Sequence, residues 1–314
     1  MLAIGTNDGI VAIERSGEEW RIVAKALEGI RIDDVGQFKE RTIVATEQGV
    51  FESEDNWATW EKTLDNVDAR CIGISQDGTV YIGTDGAFVY RKFSVEEEYL
   101  ELSSFRELPT CWSWTFPVSP HIPNIRSIVV SPSNPKHVYV GVEVGGVMAS
   151  FDAGESWKEA RENIHPDIHG LVAAPGELDQ IYAVTGVGFF RSTDSATSWQ
   201  SSSDGLNDLY TVAITNDPSK PECVYASATA GRPRNWRTRP EGANARVYRS
   251  VDGEAWHSVM NEGLVEAVDA LEVDSEGLVF AGTHGGEVFA LRGHSDEWIL
   301  AINGLQSINS LTHI

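Results

Sequence analysis

A small set of residues in this chain could move protons, and two further sets could hold charge. Glu143, His169, Tyr210 and His284 supply a carboxyl, two imidazoles and a phenol, the groups on which general acid–base and nucleophilic catalysis draw. Arg70, Arg126, Arg232 and Arg234 offer guanidinium forks that suit a carboxylate or a phosphate, and Trp114 and His121 could wall the same ligand. A metal alternative lies in His165-Pro166-Asp167-Ile168-His169, which places two imidazoles and a carboxylate within five residues. His121, Glu143 or His284 could complete that shell, although the spacing matches no zinc signature. Nothing in the sequence requires a cofactor, and a divalent metal stays open. The chain has no P-loop, dinucleotide fingerprint, Ser-His-Asp elbow or CxxC.

These residues lie far apart in sequence, so a repeated scaffold must bring them together. The stretch VYVGVEVGGVMASFDAGESW, Val138 to Trp157, recurs in weaker copies from end to end. Turns that follow a short apolar run fall at Gly5-Thr6, Ala45-Thr46, Gly83-Thr84, Gly141-Val142, Val184-Thr185, Ser227-Ala228 and Gly282-Thr283, which makes seven units. The steps from Trp157 to Trp199 and from Trp256 to Trp298 are both 42 residues, a length that suits a four-stranded propeller blade. Alternation is short and strand-like, with no amphipathic helical period. The expected fold is all-β, one domain over 1–314, a seven-bladed β-propeller of four-stranded antiparallel blades. The chain begins on a second strand, so the ring should close when Ser307 to Ile314 pairs into the first blade, removing an exposed edge.

The repeated core reads Ser150-x-Asp152-x-Gly154-x-x-Trp157, and returns around Ser192, Asp194 and Trp199, around Ser53, Asp55 and Trp60, and around Ser250, Asp252 and Trp256. It resembles the Asp-box, or bacterial neuraminidase repeat, of sialidases, sortilin-type domains and photosystem II assembly factor propellers. Asp55, Asp152, Asp194 and Asp252 nevertheless read as structural, because an Asp opening a tight turn accepts hydrogen bonds from nearby amides. The tryptophans at 60, 157, 199 and 256 then bury an aromatic face. The sialidase likeness implies an arginine cluster, a tyrosine nucleophile assisted by a glutamate, and an aspartate as acid and base. Arg70, Arg126, Tyr210, Glu143 and Asp167 could take those parts. Seven units instead of six, and the lack of a Phe-Arg-Ile-Pro segment, depart from that pattern.

In an up-and-down blade the turn between third and fourth strands lies on one face, and the turn between second and third strands lies on the other with the connections between blades. The boxes mark the first face. Two inserts, about 101–124 and 229–245, map to the opposite one, where long loops on a rigid scaffold carry function. The first brings Trp112, Trp114, Phe116 and His121, as a ligand wall or as a plug over apolar surface. The second sets Arg232, Arg234, Arg237 and Arg239 around Trp236. First-strand starts should add Arg70, Arg126, His169 and Tyr210, with Asp34, Val268 and Asn309, to a central channel mouth reached also by Glu143 and His284.

A formal net charge of -23 argues against a nucleic-acid or anionic-membrane partner. Cys71, Cys111 and Cys223 are widely spaced and read as buried free thiols. Met1 runs straight into a repeat strand with no signal-peptide pattern, so a cytoplasmic location is expected. The function these features imply is binding of a small polar, anionic ligand opposite the Asp-boxes, with hydrolase or lyase chemistry of a glycosidase-like kind. A non-enzymatic scaffold that binds a protein partner is the alternative.

Overall fold

Short apolar runs punctuated by Gly, Asp and Asn turns are too brief for helices, and they form strands throughout. The computed structural model describes residues 1–314 apart from 18, 177, 261 and 292–296. The strands assemble into seven four-stranded antiparallel sheets, a seven-bladed β-propeller. The fourth blade is typical: Ile125–Val130, Val138–Val142, Gly146–Ser150 and Lys158–Glu159 follow one another in chain order and in the sheet. The first blade takes its first strand, Ile308–His313, from the far end of the sequence and pairs it with Leu2–Thr6. Helical segments among the described residues are short, Ser103–Glu107, Cys111–Ser113 and Pro233–Trp236, and no helix is long and apolar enough to cross a membrane. All three cysteines are free and buried.

Burial explains the composition of each strand. Second strands such as Leu2–Thr6, Val80–Thr84, Val138–Val142 and Val279–Thr283 are buried at every position, so they read as continuous apolar runs and not as alternation. First strands alternate, as in Ala69–Ile74, and fourth strands such as Leu100–Glu101 are exposed. Packing divides the chain into two compact units, one of Asp33–Thr185 and Phe190–Ser201, the other of Met1–Ile32, Gly186–Phe189 and Ser202–Ile314.

The Ser-x-Asp turns are built from side-chain oxygens. Ser150 Oγ accepts the Gly154 amide at 2.8 Å and donates to Asp152 Oδ1 at 2.8 Å, while Asp152 accepts the Ser156 amide at 2.9 Å and its hydroxyl at 2.6 Å. The same pattern recurs at Ser192 and Asp194 and at Ser53 and Asp55. These bonds hold Asp55 below the ordinary carboxylate range, the Thr59 hydroxyl and amide contributing most. A carboxylate so saturated with donors is a poor proton carrier, as expected of a structural Asp. The glycine position keeps its left-handed backbone even where Ala196 (φ 62°) or Trp57 (φ 70°) replaces glycine, so the hydrogen bonds outweigh the steric cost of a side chain there. Trp199 and Trp256 are buried, and their indole N–H groups reach the Ala160 and Ser202 carbonyls at 2.8 Å.

The first insert is a plug. Leu102, Phe105, Leu108, Cys111 and Trp114 are buried in one cluster with Val140 and Met148, and Phe105 meets Trp157 edge to face at 5.0 Å between centroids. Deleting 308–314 removes buried Ile308 and Leu311 and opens the edge of Leu2–Thr6. The apparent Tm should fall by about 10 °C or more, the scale expected for losing two core side chains and a strand ladder. An unchanged melting curve would show that the last strand does not hold the first blade.

Candidate active site

Two backbone devices decide which side chains are displayed. First, the pairing of first and second strands slips by one residue near its start, and the residues skipped are Arg70, Arg126, His169, Asp269 and Asn309. A bulge of this kind re-aims the extra residue's side chain. Second, the turn after the second strand is latched to its own blade. Its first amide donates to the carbonyl just ahead of the first strand: Asn7 to Ser307 at 3.1 Å, Asp85 to Asp68 at 2.9 Å, Glu143 to Asn124 at 3.1 Å and His284 to Ala267 at 2.9 Å.

Together they set a turn residue against a bulge residue in each of these blades. Asn309 donates to Asn7 at 3.0 Å, Arg70 to Asp85 at 2.7 Å, and His284 meets Asp269 at 3.0 Å, while Arg126 and Glu143 stand 3.9 Å apart. The fifth blade departs from the rule. Its turn begins with Gly186, which has no side chain to offer the bulge residue His169. His169 instead lies 3.5 Å from Asp167, and the donor atoms of Glu143, Asp167 and His169 all fall within 4.8 Å of one another.

The surroundings of this group are built to hold it. The Pro166 carbonyl accepts the Gly145 and Gly146 amides at 3.1 and 3.0 Å, tying the Asp167 loop to the Glu143 turn. Trp114 packs behind Gly145, where an added Cβ would sit 3.0 Å from its ring. Val144, next to Glu143, adopts φ 52°, a left-handed conformation that a β-branched residue rarely takes and that is typical of constrained functional turns. Burial pushes the Glu143 carboxyl above its ordinary pKa and Asp167 adds to the shift, while Arg126, His169 and Asn124 oppose it. Among the described residues no other His, Cys, Asp or Glu donors gather this closely. Such crowded charge is relieved by a proton or by a divalent cation, and Arg126 beside Glu143 supplies part of that relief.

Several residues expected at the site stand elsewhere. Arg70 is caged by Asp33 at 2.9 Å, Asp85 at 2.7 Å and Asp68 at 3.7 Å, so its fork is satisfied within the protein and not held ready for a ligand. Trp114 is a core residue and not a wall, and His121 is exposed with Nδ1 2.8 Å from the Phe116 carbonyl of its own insert. His165 takes no part in the close group, because its Nδ1 accepts the Asp167 amide at 3.2 Å. Tyr210 lies ahead of the sixth blade's bulge, in ladder register with Thr229. Arg232 and Arg234 are exposed on the second insert. Asp34 accepts the Ile72 and Val35 amides at 2.8 and 2.9 Å, and burial pushes its carboxyl up to about 7. The bulge places Asp269, not Val268, in the display position of the seventh blade. Asp269 was missed because only the bulge phase reveals it.

No family model matches the sequence. A xyloglucanase from Hypocrea jecorina (strain QM6a) is 26% identical over 252 residues, which is 78% of this chain and 27% of that protein. The chain thus spans about a quarter of the length of its curated relative. Among solved structures, the GH74 xyloglucanase of Xanthomonas campestris superposes with a TM-score of 0.69 at 18% identity, over 96% of this chain and 52% of its own. The GH74 enzyme of Niastella koreensis gives 0.67 at 13% identity, over 95% and 46%. YCF48 bound to D1 peptide gives 0.57 at 12% identity, over 96% and 85%. At these identities the superpositions establish a shared propeller fold, common to glycoside hydrolases and to a peptide-binding protein.

Proposed function

We propose that this propeller binds a carbohydrate and hydrolyses a glycosidic bond, with Glu143 as general acid and Asp167 as the second carboxylate. The observation that carries this reading is the gathering of Glu143, Asp167 and His169 around a Glu143 carboxyl raised by burial and by its acidic neighbour. A carboxyl whose pKa is raised holds its proton more readily than an ordinary one and can deliver it to the departing glycosidic oxygen. Asp167 then faces the positive charge that develops on the sugar ring, a water molecule adds to the anomeric carbon and returns a proton to Glu143, and His169, 3.5 Å from Asp167, orients that carboxylate. The balance of charge here favours a neutral sugar over the anion expected from sequence, since Arg70 is consumed by three aspartates. The xyloglucanase relative makes a β-glucan the first substrate class to try. In the same reading the Ser-x-Asp turns are Asp-boxes that brace the blades.

Two measurements check it. With xyloglucan as substrate, Glu143→Gln should lower the release of reducing ends by about 100-fold or more, the usual worth of a general acid, while polysaccharide retardation in an affinity gel stays unchanged. Hydrolysis at the parent rate in Glu143→Gln would remove Glu143 from the reaction. The second measurement is of stability. A carboxyl whose folded pKa is raised contributes its full share below the unfolded value and loses it as pH rises through the folded value. Glu143→Gln should therefore have a higher Tm than the parent at pH 7.5, with the difference closing toward pH 4. A Tm below the parent at both pH values would mean that the charged form is stabilised in place.

A further inference from the structure

Asp167 and His169 flank Ile168, which is sunk in the core over Gly141, its Cγ2 2.7 Å from where a Cβ on that glycine would sit. The anchored residue between them holds the two polar side chains in place. His169 Nε2 and Asp167 Oδ1 stand 3.5 Å apart. That is long for a hydrogen bond to a carboxylate, which runs at about 2.7–2.9 Å, and close to the separation of about 3.3 Å between two donors on one tetrahedral zinc ion.

Glu143 completes the group, since one donor atom from each of the three residues lies within 4.8 Å of the others. The gap that remains is within the swing of a glutamate side chain between rotamers. The three side chains are well shielded from water, Glu143 at 13% exposure, Asp167 at 12% and His169 at 6%. The other polar neighbours of Glu143 are Asn124 and Arg126. Arg126 Nε is 3.9 Å from Glu143 Oε2 on a side chain 48% exposed, so it offsets one of the two carboxylates and can turn out to water when a better cation arrives.

We infer that Glu143, Asp167 and His169 form a site for one divalent transition-metal ion, held by two carboxylate oxygens and His169 Nε2. One imidazole with two carboxylates suits zinc, cobalt or nickel, whereas calcium and magnesium prefer oxygen ligands alone. Both loops are tied together beforehand through the Pro166 carbonyl and the Gly145 and Gly146 amides, so little ordering is left for the ion to impose. The net charge of -23 concentrates cations around the protein.

The ion and the Glu143 proton exclude each other, because a ligating carboxyl must be ionised. Zinc is therefore an inhibitor of glycoside hydrolysis here, since it takes away the acid. That consequence rests on the hydrolase reading, and the binding itself does not.

The experiment is calorimetric titration of the full chain, without a histidine tag and stripped with EDTA, with zinc chloride at neutral pH. The expected result is saturable binding of one ion per chain, weaker by about tenfold or more in His169→Gln, as for loss of a ligand. Arg126→Ala should bind zinc about threefold more tightly, because it removes a competing cation at an exposed position. Calcium chloride should give no saturable heat. Absence of saturable zinc binding, or equal affinity in the parent and His169→Gln, overturns the proposal. Xyloglucan hydrolysis measured with EDTA and with saturating zinc separates the two readings. Cleavage in EDTA that zinc stops supports the shared site, and cleavage that continues at the same rate with zinc bound overturns it. If no cleavage occurs in EDTA, the hydrolase reading fails, and the metal site stands or falls on the calorimetry alone.

Discussion

The arrangement of functional side chains depends on one small backbone interaction, the amide that latches the turn after each second strand to the carbonyl preceding the first strand. It fixes where the turn begins, at 2.9–3.1 Å in the four blades that show it. The neighbouring bulge turns one side chain out of the ladder. Once both are in place, the residue types at the two positions decide everything chemical: Asn with Asn, Asp with Arg, Glu with Arg, His with Asp. In three of these pairs the side chains are within hydrogen-bond reach and largely satisfy each other. The fourth, Glu143 and Arg126, is held apart, and the fifth blade offers Gly186 where a partner for His169 would stand. The gathering of Glu143, Asp167 and His169 arises where the pairing rule fails.

Two buried carboxylates elsewhere, Glu52 and Asp179, are well occupied. Lys92 and Arg41 are buried against Glu52, at 3.2 and 3.7 Å, and Tyr99 and Thr63 donate to the same carboxylate at 2.9 Å. Asp179 is buried and accepts the Ser131 hydroxyl, His137 Nδ1 and the Tyr139 hydroxyl. Carboxylates so supplied with donors brace blades without chemistry, since a carboxylate with three donors gains little from a ligand. The Ser-x-Asp turns belong with them. Their repetition makes them the most visible acids in the sequence, and their hydrogen bonds make them the least reactive.

How much was legible follows from what each feature depends on. The seven blades, the four strands in each and the closing strand Ile308–His313 could be read from periodicity, because second strands buried on both faces leave continuous apolar runs. Glu143, Asp167 and His169 could be named as candidates, since turn and strand-start positions follow from the repeat. Which arginines would be free could not. Arg70 and Arg126 occupy equivalent positions, and only the identity of the facing turn residue, with Asp33 from the preceding blade, separates a caged cation from a half-exposed one. Trp114 and Trp112 sit two residues apart in one insert. The short 3₁₀ turn Cys111–Ser113 leaves its own Trp112 87% exposed, and Trp114, which caps it, is buried, a choice of phase that composition does not encode.

The large acidic excess takes on a more specific meaning in this setting. A neutral polyol is indifferent to a field that would repel an anion, so a negative surface does not oppose carbohydrate binding at the Glu143 group. It also raises the cost of ionising a half-buried carboxyl, which is the direction in which Glu143 is displaced. The same field would exclude an anionic group from most of the surface, and only a local reversal of sign could admit one. The insert carrying Arg232, Arg234 and Arg237 is such a reversal, and it is stitched to the segment that feeds the seventh blade. One scaffold rule, a latched turn facing a bulge, thus yields an acid displaced toward its neutral form in one blade and an oriented imidazole in another, according to which residue each blade places opposite its bulge.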